Sequence, residues 1–94
     1  MQVRKSDDFK KKLQFILEYI AKDKIGASLK FRKELNISLK NLGHMPYKFK
    51  QSIYFNDKNI RDMIFKGYVV VYKIDIQKDT IIIVGINKYK KDLV

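Results

Sequence analysis

The hydrophobic period of this chain changes once, near Ser52. Before that point, apolar residues recur every three or four positions, the spacing that places them on one face of an α-helix. After it, short runs rich in isoleucine, valine and aromatic residues are separated by polar breaks, a pattern typical of β-strands. The change favours an α+β fold, in which a helical hairpin packs on one face of a small antiparallel sheet.

The first helix is predicted to begin just after Ser6. The Ser6 hydroxyl can cap the helix, and Asp7 and Asp8 then lie near the positive end of the helix dipole. The apolar stripe of this helix consists of Phe9, Leu13, Ile16, Leu17 and Ile20. We expect the helix to end near Asp23, with Gly26 as the break.

A second helical stripe follows that glycine. It consists of Ala27, Phe31, Leu35, Leu39 and Leu42. Gly43 and Pro46 are expected to stop this helix, because proline cannot continue the backbone hydrogen bonding. Since the link between the stripes is short, we predict an antiparallel helical hairpin whose two stripes face a common layer.

Strand-like runs fill the second half of the chain. They are residues 53–55, 60–65, 68–76 and 80–86. The stretch "DIQKDT" predicts a hairpin turn, and Gly67 predicts a tight link or bulge before Tyr68. With a short strand over "MQVR", the predicted order is one strand, two helices and a meander. In the strand from Tyr68, one face is apolar throughout and the other only at its start, so we expect a site on the partly open sheet face.

The charge of the chain indicates an anionic partner. Its 94 residues include 21 lysines and arginines against 10 aspartates and glutamates, a net charge of +11. A small surface with this charge attracts polyanions. Nucleic acid, the ribosome, anionic lipid and an acidic protein all fit this charge. The alternative explanation of the excess is the coding bias of an AT-rich genome together with surface solubility.

The composition also excludes several kinds of site. With no cysteine and one histidine, the chain cannot build a disulfide framework or a zinc cluster, and we expect neither metal nor cofactor. No apolar stretch approaches the roughly 18 to 20 residues that span a bilayer, and no secretory signal is visible. We therefore expect a single domain over residues 1–94 that acts in the cytoplasm and not in a membrane.

In this order, the elements resemble the RelE/ParE superfamily of type II toxins, the toxic halves of toxin–antitoxin modules. The similarity is carried by "FKKKLQFILEYIAKD", by the stripe from Ala27 to Pro46, and by "IRDMIFKGYVVVYKID" and "IIIVGIN". Together these segments span roughly residues 1–89. The pieces "EYIAKD" and "GYVVVY" most resemble the ParE, or plasmid-stabilisation, branch.

The resemblance implies a β-α-α-β-β-β fold, an antitoxin encoded beside the toxin, and one of two targets. RelE-like members enter the ribosomal decoding site and cut mRNA. ParE-like members poison DNA gyrase and have no known hydrolytic site of their own.

The position of Val69 bears on the choice between these targets. Cleavage of RNA by its own 2′-hydroxyl needs a proton acceptor, a proton donor for the leaving oxygen and positive donors around the phosphate. RelE-like toxins resemble one another in using arginine, lysine and a C-terminal tyrosine for this purpose. Their key arginine follows the Gly-Tyr of the central strand, where this chain has Val69. Valine cannot stabilise charge, so the departure favours a binding poison.

The resemblance leaves Arg61 and Tyr89 as candidate catalytic residues. Arg61 fits the family pattern of Ile-Arg on this strand; the alternative is an exposed residue paired with Asp57 or Asp62. Tyr89 fits the C-terminal tyrosine; the alternative is a ring packed at the end of the sheet with its hydroxyl in water. The candidate target-binding lysines are Lys48, Lys50, Lys66, Lys88, Lys90 and Lys91.

The stretch "YKFK", residues 47–50, alternates aromatic residues and lysines. In an extended conformation it would clamp a single-stranded polynucleotide by stacking and phosphate contacts. We favour the alternative, in which a loop buries the rings and the lysines stay solvated. His44 lies just past a helix end without an orienting carboxylate nearby in sequence, so we do not expect it to act as a general base.

Three functions therefore stay open. The first is a toxin that inhibits growth by blocking a nucleic-acid machine, more gyrase-like than ribosomal. The second is a ribosome-dependent mRNA endonuclease, independent of metal, that uses Arg61, lysines and Tyr89. The third is a basic RNA-binding domain without toxicity. For a toxin we also expect a cognate antitoxin that wraps the helical hairpin or the sheet with acidic and apolar side chains.

Overall fold

The computed structural model describes residues 1–89. Its elements are β1 (Gln2–Lys5), α1 (Asp7–Asp23), α2 (Ile25–Leu42), β2 (Ile60–Phe65), β3 (Tyr68–Asp75) and β4 (Thr80–Lys88). The predicted α+β fold, a helical hairpin on a small sheet, is confirmed. No helix among the described residues is long and apolar enough to cross a bilayer.

The four strands form one sheet of order β1-β4-β3-β2. β3 pairs antiparallel with both β2 and β4, which is the predicted meander. β1 adds to the other edge of β4 in parallel, so the sheet is mixed, whereas the sequence predicts one that is antiparallel throughout. The register between β3 and β4 shifts between Val71 and Tyr72, so that Val84 opposes no residue of β3 and is 39% exposed.

The two helices cover one face of the sheet and form the main core with it. Every residue of this core is at most 6% exposed. The helices contribute Phe9, Phe31, Leu35, Leu39 and Leu42, and the strands contribute Met63, Val70, Tyr72, Ile74, Ile81, Ile83 and Ile86. Burial of such apolar side chains is the dominant favourable term in folding, and here it joins the two halves of the sequence.

The cap of α1 is confirmed, but the break between the helices is not at the glycine. The Ser6 Oγ accepts a hydrogen bond from the backbone N–H of Phe9 at 3.1 Å. Lys24, in an extended conformation, ends α1 and begins α2. Gly26 therefore lies inside α2, and the expectation that it forms the break is wrong. A single extended residue is enough to reverse the chain direction here.

Ser28 takes the place expected for Ala27 on the buried side of α2. Ala27 is exposed, whereas Ser28 is 8% exposed. The Ser28 Oγ donates a hydrogen bond to the Leu17 carbonyl at 2.7 Å. This bond ties α2 to α1 and satisfies a buried hydroxyl.

The strand predicted over residues 53–55 is absent. Residues 43–59 form an irregular segment, termed here the cover segment. Its middle runs along the outer edge of β2: the Ser52 N–H donates to the Ile60 carbonyl at 2.7 Å, and the Asp62 N–H donates to the Lys50 carbonyl at 3.1 Å. These bonds give the edge strand a partner and fix where the segment turns over the sheet.

β3 is buried on both faces. Successive side chains of a strand point to opposite faces, and Val70 and Tyr72 belong to the core beneath the helices. Val69 and Val71 point to the opposite side, termed here the second face, yet they are only 2% and 5% exposed. Tyr54 of the cover segment lines grooves with both of them. The face that the sequence predicted to be partly open is thus covered at its centre.

The turn between β2 and β3 supplies a prediction. Lys66 and Gly67 have positive φ values of 47° and 83°, a conformation that glycine adopts without strain. We expect Gly67→Ala to lower the free energy of unfolding by about 1 kcal/mol in urea titrations. The matched control is Gly26→Ala, since an added Cβ there meets no atom within 4 Å. Gly26→Ala should raise the free energy of unfolding by roughly 0.4–1 kcal/mol. Equal effects of the two substitutions would show that the β2–β3 turn does not require glycine at position 67.

Candidate functional site

A groove of about 500 Å³ lies on the second face of the sheet. The groove forms because the cover segment leaves the edge of β2 and crosses the second face without filling the space beside Val69. Its lining residues, termed here the basic groove, are Lys48, Phe49, Lys50, Gln51, Ile53, Tyr54, Asp62, Ile64, Val69 and Tyr89.

The basic groove brings together three of the predicted site residues. Lys48 and Lys50 come from the cover segment, and Tyr89 follows β4. The backbone N–H of Tyr89 donates to the Gly67 carbonyl at 2.8 Å, which fixes its backbone beside the turn. The Tyr89 side chain is 44% exposed, so its ring is accessible to a ligand.

Val69 forms part of the groove and is 2% exposed. The resemblance places a phosphate-facing arginine at this position in RelE-like toxins. Here the position is apolar and almost closed to solvent. The groove therefore has no guanidinium at the point where cleavage would need one.

Arg61 does not line the basic groove. It is paired across the sheet with Tyr72, and cross-strand partners share a face, so Arg61 points to the side of the helices. Its Nε donates to the Lys58 carbonyl at 2.8 Å, and its Nη1 donates to the Phe49 carbonyl at 2.9 Å. The guanidinium carbon also lies 4.9 Å from the centre of the Tyr47 ring, within cation–π range. Arg61 thus clamps distant parts of the cover segment together.

The ion pair offered as an alternative for Arg61 is wrong. Within residues 1–89, neither Asp57 nor Asp62 lies within 4.0 Å of its guanidinium nitrogens. Asp57 Oδ1 instead accepts the Asn59 N–H at 2.8 Å. Both carboxylates serve the cover segment, because Asp62 Oδ2 accepts the N–H of Ile53 at 3.2 Å.

Tyr72 is a second anchor of the cover segment. Its hydroxyl donates to the Pro46 carbonyl at 2.7 Å. Burial of the ring raises the pKa of Tyr72 from 10.0 to about 12, so the hydroxyl stays protonated and keeps donating even at an alkaline pH where an exposed tyrosine is ionised. Nearby, the Tyr47 hydroxyl donates to Asn59 Oδ1 at 2.9 Å. The beginning and end of the segment are therefore joined.

The "YKFK" stretch is not an extended clamp. Tyr47, Lys48 and Phe49 lie in turns and bends. Phe49 is partly buried and packs against the main core, which confirms the favoured interpretation for that ring. Tyr47 keeps 45% of its surface exposed. The Lys48 Nζ lies 5.5 Å from the centre of the Phe49 ring, and both lysines of the stretch remain exposed.

Lys66 and Lys88 do not line the basic groove. Lys66 forms an ion pair with Glu34 of α2, and its hydrogen bond lowers the pKa of the Glu34 carboxyl below the usual value. Lys88 is exposed at the end of β4, opposite Tyr68. Lys90 and Lys91 lie outside the described residues.

Asp62 and Tyr54 are two of the groove residues that were not predicted as site residues. Asp62 has a buried Oδ1 with no hydrogen-bond partner in the described part of the chain. The sequence signal for it is an aspartate inside the apolar strand "IRDMIF". Tyr54 is 58% exposed and also lines a neighbouring groove of about 390 Å³. The sequence does not indicate this role for Tyr54, because the composition of residues 53–55 predicts a strand.

The chemistry of the basic groove suits binding of an anionic ligand. It combines two ammonium groups, exposed aromatic rings and one carboxylate above an apolar floor. No group of three or more His, Cys, Asp or Glu side chains that could hold a metal ion occurs within residues 1–89. The arrangement can hold phosphates and planar rings side by side.

The role of Arg61 can be tested by substitution. Arg61→Ala removes the donors to two carbonyls, so we expect a loss of about 1–3 kcal/mol in unfolding free energy and faster amide exchange in the cover segment. Arg61→Lys should not restore the loss, because one ammonium cannot reproduce the planar fork. Lys58→Ala is the control, since Lys58 contributes only its carbonyl. Unchanged exchange in Arg61→Ala would show that Arg61 does not clamp the segment.

Comparison with known proteins agrees with the resemblance read from the sequence. A family model described as the ParE toxin of the type II toxin-antitoxin system, parDE, matches residues 3–93. Among curated proteins there is no significant match.

Two solved structures share the fold. One is the chromosomal ParDE TA system from P. aeruginosa, with 13% identity and a TM-score of 0.76 over 96% of this chain and 97% of that chain. The other is the toxin-antitoxin complex RelBE2 from Mycobacterium tuberculosis, with 16% identity and a TM-score of 0.61 over 94% of this chain and 90% of that chain. Since the family model covers nearly all of its residues, the chain belongs to the ParE toxin family of type II toxin–antitoxin systems.

Proposed function

We propose that this toxin inhibits growth by binding and blocking DNA gyrase, without a hydrolytic site of its own. The observation that carries the proposal is Val69, which is 2% exposed at the position of the arginine expected in RelE-like nucleases. A buried valine cannot contact a phosphate or stabilise developing charge. Membership of the ParE family supports the same choice.

The placement of Arg61 also supports binding rather than cleavage. Two of its donors are engaged by the Lys58 and Phe49 carbonyls. Use of Arg61 at a scissile phosphate would require breaking these bonds and releasing the cover segment. Tyr89 is accessible in the basic groove, where the described residues beside it include Lys48 and Lys50 but no arginine.

A ribosome-dependent mRNA endonuclease is the second candidate. It is favoured by one observation: Lys48, Lys50 and Tyr89 line the same groove, and these are residue types that RelE-like toxins use. Such an enzyme would be independent of metal, with lysines near the phosphate and Tyr89 near the leaving oxygen. This candidate also predicts action in the cytoplasm, on mRNA held by the ribosome.

We further propose that a cognate antitoxin binds the helical hairpin. Phe15 and Tyr19 of α1 are 73% and 72% exposed, and Ile25 and Leu29 of α2 are 69% and 61% exposed. Lysines surround these side chains on both helices. A segment with apolar and acidic residues can fold over such a surface. Both similar structures come from toxin–antitoxin systems, which supports a partner of this kind.

The choice of target is tested by two assays on the same preparation of toxin. We expect inhibited DNA supercoiling by purified gyrase, and uncut mRNA when primer extension is carried out on a translation extract. Toxin preincubated with its antitoxin is the control for both assays. Ribosome-dependent cuts with unimpaired supercoiling would contradict the proposal. Normal growth of cells at verified soluble levels of the toxin would instead favour a non-toxic RNA-binding domain.

The antitoxin surface is tested by co-purification with the product of the adjacent open reading frame. We expect Phe15→Asp to weaken capture by about thirtyfold or more, the effect of a residue central to an interface. Ile76→Asp is the matched control, because Ile76 is 62% exposed but lies in the β3–β4 turn. Equal capture of the two variants, or no capture of the unmodified toxin, would contradict the assignment.

A further inference from the structure

We infer that the basic groove binds single-stranded nucleic acid and that Asp62 selects bases with an exocyclic amino group. Tyr54 serves as the stacking platform, and Lys48 and Lys50 contact phosphates. The inference rests on the proposed function and extends it. If the toxin blocks gyrase and also binds a DNA strand, it contacts both the enzyme and the substrate of the enzyme.

One oxygen of the Asp62 carboxylate accepts a hydrogen bond and the other has no partner among residues 1–89. Its Oδ2 accepts the backbone N–H of Ile53 at 3.2 Å. Its Oδ1 is buried and has no partner among residues 1–89. A buried acceptor without a donor is unfavourable, and each such group in a folded protein calls for an explanation. Asp62 lines the basic groove, so a ligand in that groove can supply the missing donor once the side chains that cover Oδ1 move aside.

The surroundings of Asp62 indicate what kind of donor this is. Lys48 and Lys50 line the same groove and repel a cationic ligand while attracting phosphate. The ligand therefore carries negative charge on its backbone and a neutral N–H donor on a planar ring. A nucleotide whose base has an exocyclic amino group meets both requirements, and carboxylates accept from the amino group of cytosine. Thymine and uracil instead present carbonyl oxygens on both sides of their ring N–H.

Tyr54 lies where a base would stack. Its side chain is 58% exposed, and its backbone N–H donates to Ser52 Oγ at 3.2 Å, which holds the turn that carries it. The ring lines both the basic groove and the neighbouring groove, which also contains Lys12. Aromatic rings beside lysines form the usual binding surface for single strands. Lys12 is paired there with Asp8 at 3.4 Å, so the net positive charge beside Tyr54 lies in the basic groove.

The substitution Asp62→Asn tests the base preference directly. In Asp62→Asn, the Ile53 N–H still requires an acceptor, so the amide oxygen takes the place of Oδ2. The amide NH₂ then takes the place of Oδ1 and presents a donor to the groove. The variant should therefore prefer thymine, whose O4 is an acceptor, and the base preference should reverse.

The test measures fluorescence anisotropy of labelled oligo(dC) and oligo(dT) with the full chain at low salt. We expect the unmodified toxin to bind oligo(dC) about tenfold more tightly than oligo(dT), with both affinities falling as salt rises. Asp62→Asn should bind oligo(dT) more tightly than oligo(dC). Oligo(rC) and oligo(rU) repeat the comparison for RNA, and the same preference there supports the inference and shows which nucleic acid the groove favours.

Three further variants distinguish binding in the basic groove from general attraction to the positive charge of the protein. Tyr54→Ala should weaken binding of both oligonucleotides by about tenfold without changing the preference. Lys50→Ala should weaken both, whereas Lys78→Ala, which removes the same charge from the β3–β4 turn, should weaken them less. Equal effects of the two lysine changes, or equal affinity of the unmodified toxin for oligo(dC) and oligo(dT), would overturn the inference.

The outcomes also separate this inference from the proposed function. Inhibited supercoiling without base-selective binding overturns only the groove assignment, and selective binding without inhibited supercoiling overturns only the gyrase proposal. If Asp62→Asn abolishes capture of the antitoxin but leaves oligonucleotide binding unchanged, a protein side chain occupies the site and the inference is wrong.

Discussion

The structure depends on the burial of β3 on both of its faces. Val70 and Tyr72 lie under the helices, while Val69 and Val71 are equally withdrawn from solvent on the second face. Full burial of one such side chain contributes about 1.5–3 kcal/mol, so the strand requires a cover on each side. The helical hairpin supplies one. In the described chain, the other comes from the cover segment, which has almost no regular secondary structure.

An irregular segment of this length holds its place only if side chains fasten it. Arg61 and Tyr72 do so from the helix side by binding three of its carbonyls, and Asp62 does so from the second face through the N–H of Ile53. The same fastening closes the surface at Val69 and opens the basic groove beside it. Long irregular segments in compact domains are commonly functional. Here one segment both helps to bury Val69 and lines the basic groove.

The sequence predicted the regular elements well because their signals are local. Helical and strand periods, the Ser6 cap and the turn at Gly67 are each readable within a few residues. The cover segment was misread because residues 53–55 have the composition of a strand, and composition does not tell a strand from a turn packed on a sheet. The face on which Arg61 lies was also hidden, since it depends on pairing with a strand that follows later in the chain. The unpartnered oxygen of Asp62 likewise exists only after folding.

Burial of the second face by the cover segment is tested most directly by comparing Val70→Ala with Val71→Ala in urea titrations. The two residues are neighbours on β3, have the same side chain and face opposite sides of the sheet, with exposures of 0% and 5%. If the cover segment buries the second face, both substitutions lower the free energy of unfolding by similar amounts, about 1–3 kcal/mol. A cost for Val71→Ala within about 0.5 kcal/mol of zero, as at an exposed site, would show that the second face is open and would contradict the account.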